Sequence, residues 1–139
     1  MKRVSFFDTN IFVYADDASA PETKAKAIEL ITDHQVSGHA VVSLQVLQEY
    51  FVVATRKLGV SAELAQRKVE ILSRLRMVRF QECDVISAIE FHRLHQISFW
   101  DAMIVHAARV SGAEVLFSED LPAGATWGGV TVVNPFARD

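Results

Sequence analysis

Apolar residues follow two alternating rhythms along this chain. Short β-branched or aromatic runs occupy residues 4–7, 40–43, 77–80, 114–118 and 130–134, and each has the length and composition of a buried strand. Longer segments with helical periodicity lie between them. Pro21 and Glu22 open one in which Ala25, Ile28 and Ile31 hold helical spacing, with Gly38 near its end. Ser43 stands where it can cap a helix over 44–58, with Leu44, Leu47, Phe51, Ala54 and Leu58 on one stripe and Gly59 in the stop position. Leu64, Leu72 and Leu75 mark another helical face, and Ile86, Ile89 and Leu94 a further one. Ser98 caps a segment over 99–110 that is apolar nearly all round and ends at Gly112, the pattern of a helix packed from two sides. Strands alternating with helices predict an α/β fold: a three-layer α/β/α sandwich around a central parallel sheet of five strands.

The 139 residues show no repeat and no long Pro/Gly/Ser linker, so one domain spanning 1–139 is expected. Half the residues are hydrophobic and 22% are charged, the composition of a compact globule rather than a disordered chain. Cys83 is the single cysteine, which excludes an intrachain disulfide and a zinc site of ordinary spacing and points to a reducing compartment. Met1-Lys2-Arg3 followed by Val4-Ser5-Phe6-Phe7 starts like a secretory signal, but Asp8 ends the apolar run too early. No stretch has the length of a transmembrane helix, so the expected location is the cytoplasm. The net charge of −3 means that a polyanionic ligand would have to be held by a local basic patch.

Four acids invite a chemical reading, each beside a structural one. Asp8 sits where the first strand runs through Thr9-Asn10 into the helical run 11–14; it is either a helix cap or a group at the carboxyl edge of a strand, where open α/β sheets bind ligands. Glu49 has Val46 behind it and Val52 and Val53 ahead on its helix, a costly setting for a charge that either an ion pair with a nearby Arg or a functional role would explain. Asp101 opens the most apolar helix, where it completes a capping pattern with Ser98 and could equally turn one oxygen to a ligand. Asp120 follows an apolar strand that ends in Ser118-Glu119, and a solvated loop would explain both acids as well. Carboxylates that converge repel one another, and protonation or a divalent cation relieves them. Oxygen donors favour a hard ion, Mg²⁺ or Mn²⁺ rather than Zn²⁺.

In this order, Asp8-Thr9-Asn10 after a first strand, a helical Glu49, Phe99-Trp100-Asp101-Ala102 opening a helix, Leu116-Phe117-Ser118-Glu119-Asp120-Leu121 and a closing Val132-Val133-Asn134-Pro135-Phe136, the chain resembles the PIN-domain family, and within it the VapC toxins of type II toxin–antitoxin systems. The resemblance spans essentially the whole chain and makes the expected sheet PIN-like. It implies an Mg²⁺- or Mn²⁺-dependent endoribonuclease that hydrolyses RNA with a metal-activated water, a cognate VapB-type antitoxin that inhibits it, and a homodimer. Carried over by position, Asp8, Glu49 and Asp101 match the core acids, and Thr9 and Ser118 match hydroxyl positions beside them. Asp120 is taken as the fourth acid with Glu119 as its substitute, and Asn10 as a supporting residue.

Two other readings stand beside this one: a non-catalytic domain of the same fold that binds nucleic acid or a partner, and a DNA nuclease. Seven of the 14 basic residues, Arg56, Lys57, Arg67, Lys68, Arg74, Arg76 and Arg79, could form a phosphate-tracking face, or simply a solvated helix surface diluted by Glu63 and Glu70. His92 and His95 lack the context of a metal motif and read as ordinary surface or core histidines. Ile11, Phe12, Val13 and Tyr14, with parts of the 44–51 segment, exceed what a small core covers and predict a surface for an antitoxin helix or a second subunit.

Overall fold

The computed structural model describes residues 3–137; Met1 and Lys2, which open the segment compared with a secretory signal, and the last two residues of the expected domain lie outside the described residues. Among the described residues six helices and six strands follow one another, with a pair of helices after each of the first three strands: β1 (Ser5–Phe7), α1 (Thr9–Ala15), α2 (Pro21–Ser37), β2 (Ala40–Ser43), α3 (Leu44–Arg56), α4 (Ala62–Leu72), β3 (Arg76–Val78), α5 (Glu82–His95), α6 (Phe99–Val110), β4 (Val115–Phe117), β5 (Thr126–Trp127) and β6 (Val130–Val133). They form one sheet of order β3-β2-β1-β4-β6-β5, parallel except for β5. The five expected strands are all present. The sixth, β5, pairs antiparallel with β6 through a two-residue Gly128-Gly129 turn with φ of 56° and 85°, a conformation that only glycine adopts freely.

The order of the strands fixes where a ligand can enter. From β1 the chain moves outward through β2 to β3, then crosses back to β4 on the other side of β1. Right-handed crossovers therefore put α1 to α4 on one face and α5 and α6 on the other, as the contacts of α1 with α2 and α3, and of α5 with α6, confirm. The reversal opens a crevice between the carboxyl ends of β1 and β4, the switch point of the sheet.

Strands β1 and β4 are buried along their whole length, as strands covered on both faces must be. Helix α6 is packed between the sheet and α5, with Ala102, Ile104, Val105, Ala107 and Ala108 buried, as its nearly all-round apolar pattern predicts. Helix α3 departs from expectation. Its buried face is Val46, Leu47, Tyr50 and Ala54, whereas Leu44 and Phe51 are exposed. The apolar residues of α3 run nearly all the way round, so spacing alone left its rotation open; the bulk of Tyr50 against α1 and the sheet set it. No helix among the described residues is long and apolar enough to cross a membrane.

Candidate active site

Asp8 is the N-cap of α1 and stands at the switch point, 5% exposed. The β1 ladder continues one residue past the strand, because the Asp8 amide donates to the Phe117 carbonyl at 3.0 Å. Its Oδ1 accepts from the Thr9 amide at 2.7 Å, and its Oδ2 accepts from the Ser118 hydroxyl at 2.8 Å. The capping and the functional readings of Asp8 are thus compatible, since each oxygen keeps a free lone pair. Ser118 is wholly buried and works in both directions: its Oγ also accepts from the Asp120 and Leu121 amides at 3.2 and 3.3 Å, which bends the chain after β4 back toward Asp8.

Glu49 faces this centre from α3. Its Oε1 accepts from the Thr9 hydroxyl at 2.7 Å, so Thr9 links the two carboxylates, Asp8 through its amide and Glu49 through its hydroxyl. Gln45, one turn earlier, donates to Glu49 Oε2 at 3.5 Å and to the Trp100 carbonyl at 3.1 Å, joining α3 to the start of α6. No basic side chain pairs with Glu49 among the described residues, so the structural explanation by an ion pair fails. Asp101 lies in the first turn of α6, where the Ser98 hydroxyl accepts from its amide at 3.0 Å. Asp120 Oδ2 accepts from the Asn10 side-chain amide at 3.1 Å, while Glu119 Oε1 accepts from the Tyr14 hydroxyl at 2.8 Å.

These residues share one cavity of about 730 Å³. Among the described residues its walls carry Asp8, Asp17, Glu49, Asp101, Glu119 and Asp120 against a single cation, Lys57. Burial pushes the Asp8 carboxyl up from its ordinary 3.8 to about 6, and the negative charges of Glu49 and Asp120 push the same way, while the bonds from Ser118 and Thr9 hold it back. Asp101 is raised too, by its half-buried setting and then by Asp120, with Ser98 opposing. Asp120 thus acts electrostatically on both other strand-edge and helix-start acids, whereas Glu119 acts on Tyr14, whose hydroxyl is raised chiefly by that bond.

The donor set fits a hard divalent cation in chemistry: carboxylates and a buried Asn10 Oδ1 that has no hydrogen-bond partner, with no sulfur or imidazole on the cavity wall. The carboxylates are gathered but not closed, since no three acidic, histidine or cysteine side chains among the described residues already form an ion-binding cluster.

The residues singled out from the sequence are therefore found together, with Thr9, Asn10 and Ser118 between the acids. Gln45 and Tyr14 were missed, because a polar residue one helical turn from an acid carries no mark of what lies opposite. The basic residues do not form one face at the cavity. Among the described residues only Lys57 lines it; Lys68 pairs with Asp16 at 3.3 Å, and Arg76, at the amino end of β3 and so away from the site, donates to the Ser111 carbonyl at 2.7 Å. The histidines serve elsewhere: His92 bonds the Ile97 carbonyl, and His95 packs on Phe91 and Trp127.

A family profile, that of the PIN domain, matches residues 5–121, from the first strand through the acidic loop after β4. The chain belongs to the PIN-domain family. No curated protein matches it in sequence. Solved structures with the same PIN fold include a toxin–antitoxin complex from Klebsiella pneumoniae, with a TM-score of 0.68 at 19% identity over 95% of this chain and 98% of that one. Another is VapC20 of Mycobacterium tuberculosis, a toxin that cleaves the sarcin–ricin loop, with a TM-score of 0.62 at 21% identity over 84% of this chain and 91% of that one. VapBC2 from Rickettsia felis, solved bound to a fragment of its promoter DNA, gives 0.57 at 24% identity over 84% and 87%. The PIN fold accounts for the crevice at the switch point and for the side of the sheet on which the acids gather.

Proposed function

We propose that this PIN domain is a metal-dependent endoribonuclease, the VapC-type toxin of a type II toxin–antitoxin pair, acting on RNA in the cytoplasm. The observation that carries the reading is the convergence of Asp8, Glu49, Asp101 and Asp120, from four separate segments of the chain, on one cavity in which the charges of Glu49 and Asp120 raise the proton affinity of Asp8, and that of Asp120 raises the proton affinity of Asp101. Isolated capping or solvated acids would have no reason to meet. Asp8, Glu49, Asp101 and Asp120 would hold Mg²⁺ or Mn²⁺, with Asp120 preferred to Glu119 because its charge is the one felt at Asp8 and Asp101. The chemistry that such an ion supplies when bound is neutralisation of charge at the phosphate and acidification of water.

The chain's own residues supply the rest. Thr9 fixes the Glu49 carboxylate relative to Asp8, Ser118 fixes Asp8 relative to the loop that carries Asp120, and Asn10 orients Asp120 itself. No histidine among the described residues lines the cavity, whose titratable side chains are the carboxylates, Tyr14 and Lys57. A VapB-type antitoxin and a second copy of the chain are the proposed partners. The Klebsiella pneumoniae relative is a toxin–antitoxin complex; Ile11 and Phe12, expected to help form the partner surface, are wholly buried in the core, but Leu44, Phe51 and Val52 leave an apolar face on α3.

Purified protein incubated with labelled RNA and DNA oligonucleotides tests the proposal. RNA should be cut with Mg²⁺ or Mn²⁺, cutting should stop with EDTA, and Asp8→Asn should lower the rate at least about 100-fold, the scale of losing a principal transition-state interaction. RNA left intact under all metal conditions, or equal cutting by the Asp8→Asn protein, would exclude the reading. Preference for the DNA strand would convert it to a DNA nuclease of the same fold.

A further inference from the structure

A second, smaller pocket of about 220 Å³ opens beside the acid cavity at the junction of α3, β3 and α6. Its apolar wall is formed by Leu44, Phe80, Trp100 and Met103, and its polar rim by Gln45 and Gln48. The two hollows adjoin, because Gln45, Gln48 and Trp100 line both. Trp100 is 61% exposed, although it is among the largest apolar side chains in the protein and directly precedes Asp101. Phe99 meets it edge to face at 5.0 Å, which steadies the indole. Gln45 is occupied by Glu49 and the Trp100 carbonyl, but Gln48 is exposed and keeps both its amide donor and its acceptor available.

We propose that this pocket is a nucleobase subsite, in which Trp100 stacks on the base flanking the phosphate held at the acids and Gln48 bonds the edge of that base. The inference rests on the ribonuclease reading and names how that site holds its substrate. Electrostatics favour it. Among the described residues six carboxylates on the cavity wall face the single cation Lys57, so the side chains alone repel a polyanion and contacts that carry no charge add to whatever affinity for RNA a bound divalent ion supplies. Stacking on an aromatic ring is the strongest of these for a single-stranded nucleic acid. The pocket is smaller than the roughly 300–1,000 Å³ that admit a drug-sized ligand, so it takes one flat ring system rather than a whole nucleotide. A glutamine amide at the rim offers a donor and an acceptor side by side, the pair that adenine matches on its edge.

The double variant Asp8→Asn/Trp127→Phe leaves Trp100 as the sole tryptophan in a form that does not turn over substrate. In EDTA, titration with a short unstructured RNA should quench Trp100 emission, and an abasic ribose-phosphate oligomer of the same length should not. Trp100→Ala should weaken RNA binding about 5- to 100-fold and Trp100→Phe far less, in line with base-stacking losses seen on alanine substitution. In the otherwise native enzyme Trp100→Ala should raise KM more than it lowers kcat, and Gln48→Ala should change which bonds are cut. Equal quenching by the abasic oligomer overturns the subsite. So does an unchanged KM in a Trp100→Ala enzyme that still cleaves RNA, and in that case the ribonuclease reading survives. If Trp100→Ala instead breaks a dimer or releases a bound antitoxin while RNA binding is unmoved, the pocket is a protein contact and the proposal falls. Failure of the native protein to cut any RNA removes the ribonuclease reading and this subsite with it.

Discussion

Asp8 shows how one residue answers to two demands. As an N-cap it satisfies an amide at the start of α1, and as a buried acid it sits where Glu49 and Asp120 oppose its ionisation. Its folded carboxyl titrates near 6, above the ordinary 3.8, so the folded state holds this proton more tightly than the unfolded chain. The stability owed to neutral Asp8 is complete below about pH 4 and is lost as pH rises through about 6. The rise corresponds to about 3 kcal/mol at about 1.4 kcal/mol per tenfold change in proton affinity. Asp8→Asn cannot ionise. In EDTA its stability relative to the native protein, read from urea midpoints, should therefore move in the variant's favour between pH 4 and 7, by up to that amount. The absolute difference is less informative, because an asparagine amide turned toward Ser118 disturbs the bonds that Ser118 makes to Asp120 and Leu121. A flat or opposite slope would mean that Asp8 is not desolvated as described. The glutamate is the complementary case: Glu49 was legible as an oddity in an apolar helix, but its partner, the Thr9 hydroxyl 40 residues earlier, was not.

Among the elements, α3 is the one on which the site depends most, since it carries Gln45, Gln48 and Glu49 on the cavity side and Tyr50 on the core side. Adjacent residues on a helix point about 100° apart, so the rotation that buries Tyr50 is the rotation that delivers Glu49 to Asp8. Tyr50 donates to Asp16 Oδ2 at the end of α1, and Lys68 on α4 bonds the other oxygen, a clamp across three helices. Burial, reinforced by Asp16, raises the Tyr50 hydroxyl, which therefore stays a neutral donor at any working pH. Tyr50→Phe keeps the ring in the core and loses a bond to a charged acceptor, worth about 1.5–3 kcal/mol. Lys68→Met should cost under about 1 kcal/mol, since that ion pair is partly solvated. Chemical denaturation of the two variants separates these contributions; equal losses would show that the clamp is not centred on the hydroxyl. Element boundaries were legible wherever a cap marked them, as at Ser43, Ser98 and Gly38. The β5–β6 hairpin carried its signal openly in Gly128-Gly129, but a two-residue strand is too short for periodicity to register.

For the molecule as a whole, charge and topology decide how a substrate is met. The basic residues between 56 and 79 are spread over α3, α4 and β3 and are partly used up internally, so a continuous phosphate track along the cavity is missing. RNA binding by the Asp8→Asn protein should accordingly weaken only mildly between about 50 and 200 mM salt, with a log–log slope shallower than about −2, given about −0.7 per neutralised phosphate of a single strand. Fluorescence anisotropy of a labelled RNA measures this directly, and a slope near −5 would restore an extended basic face. By itself the sequence determined the alternation of strands and helices, the caps that bound them, and the identity of the acids, because periodicity, capping and the cost of a charge among apolar neighbours are local properties. It could not determine the rotation of α3, the dispersal of the basic residues, or the meeting of Asp8 with Glu49 and Asp120. Packing around Tyr50 decided the rotation of α3 and with it the approach of Glu49, while the crossover from β3 back to β4 places Asp8 and the loop of Ser118 and Asp120, about a hundred positions apart, on one edge of the sheet; both relations exist only once non-local packing has chosen among the ways the elements could assemble.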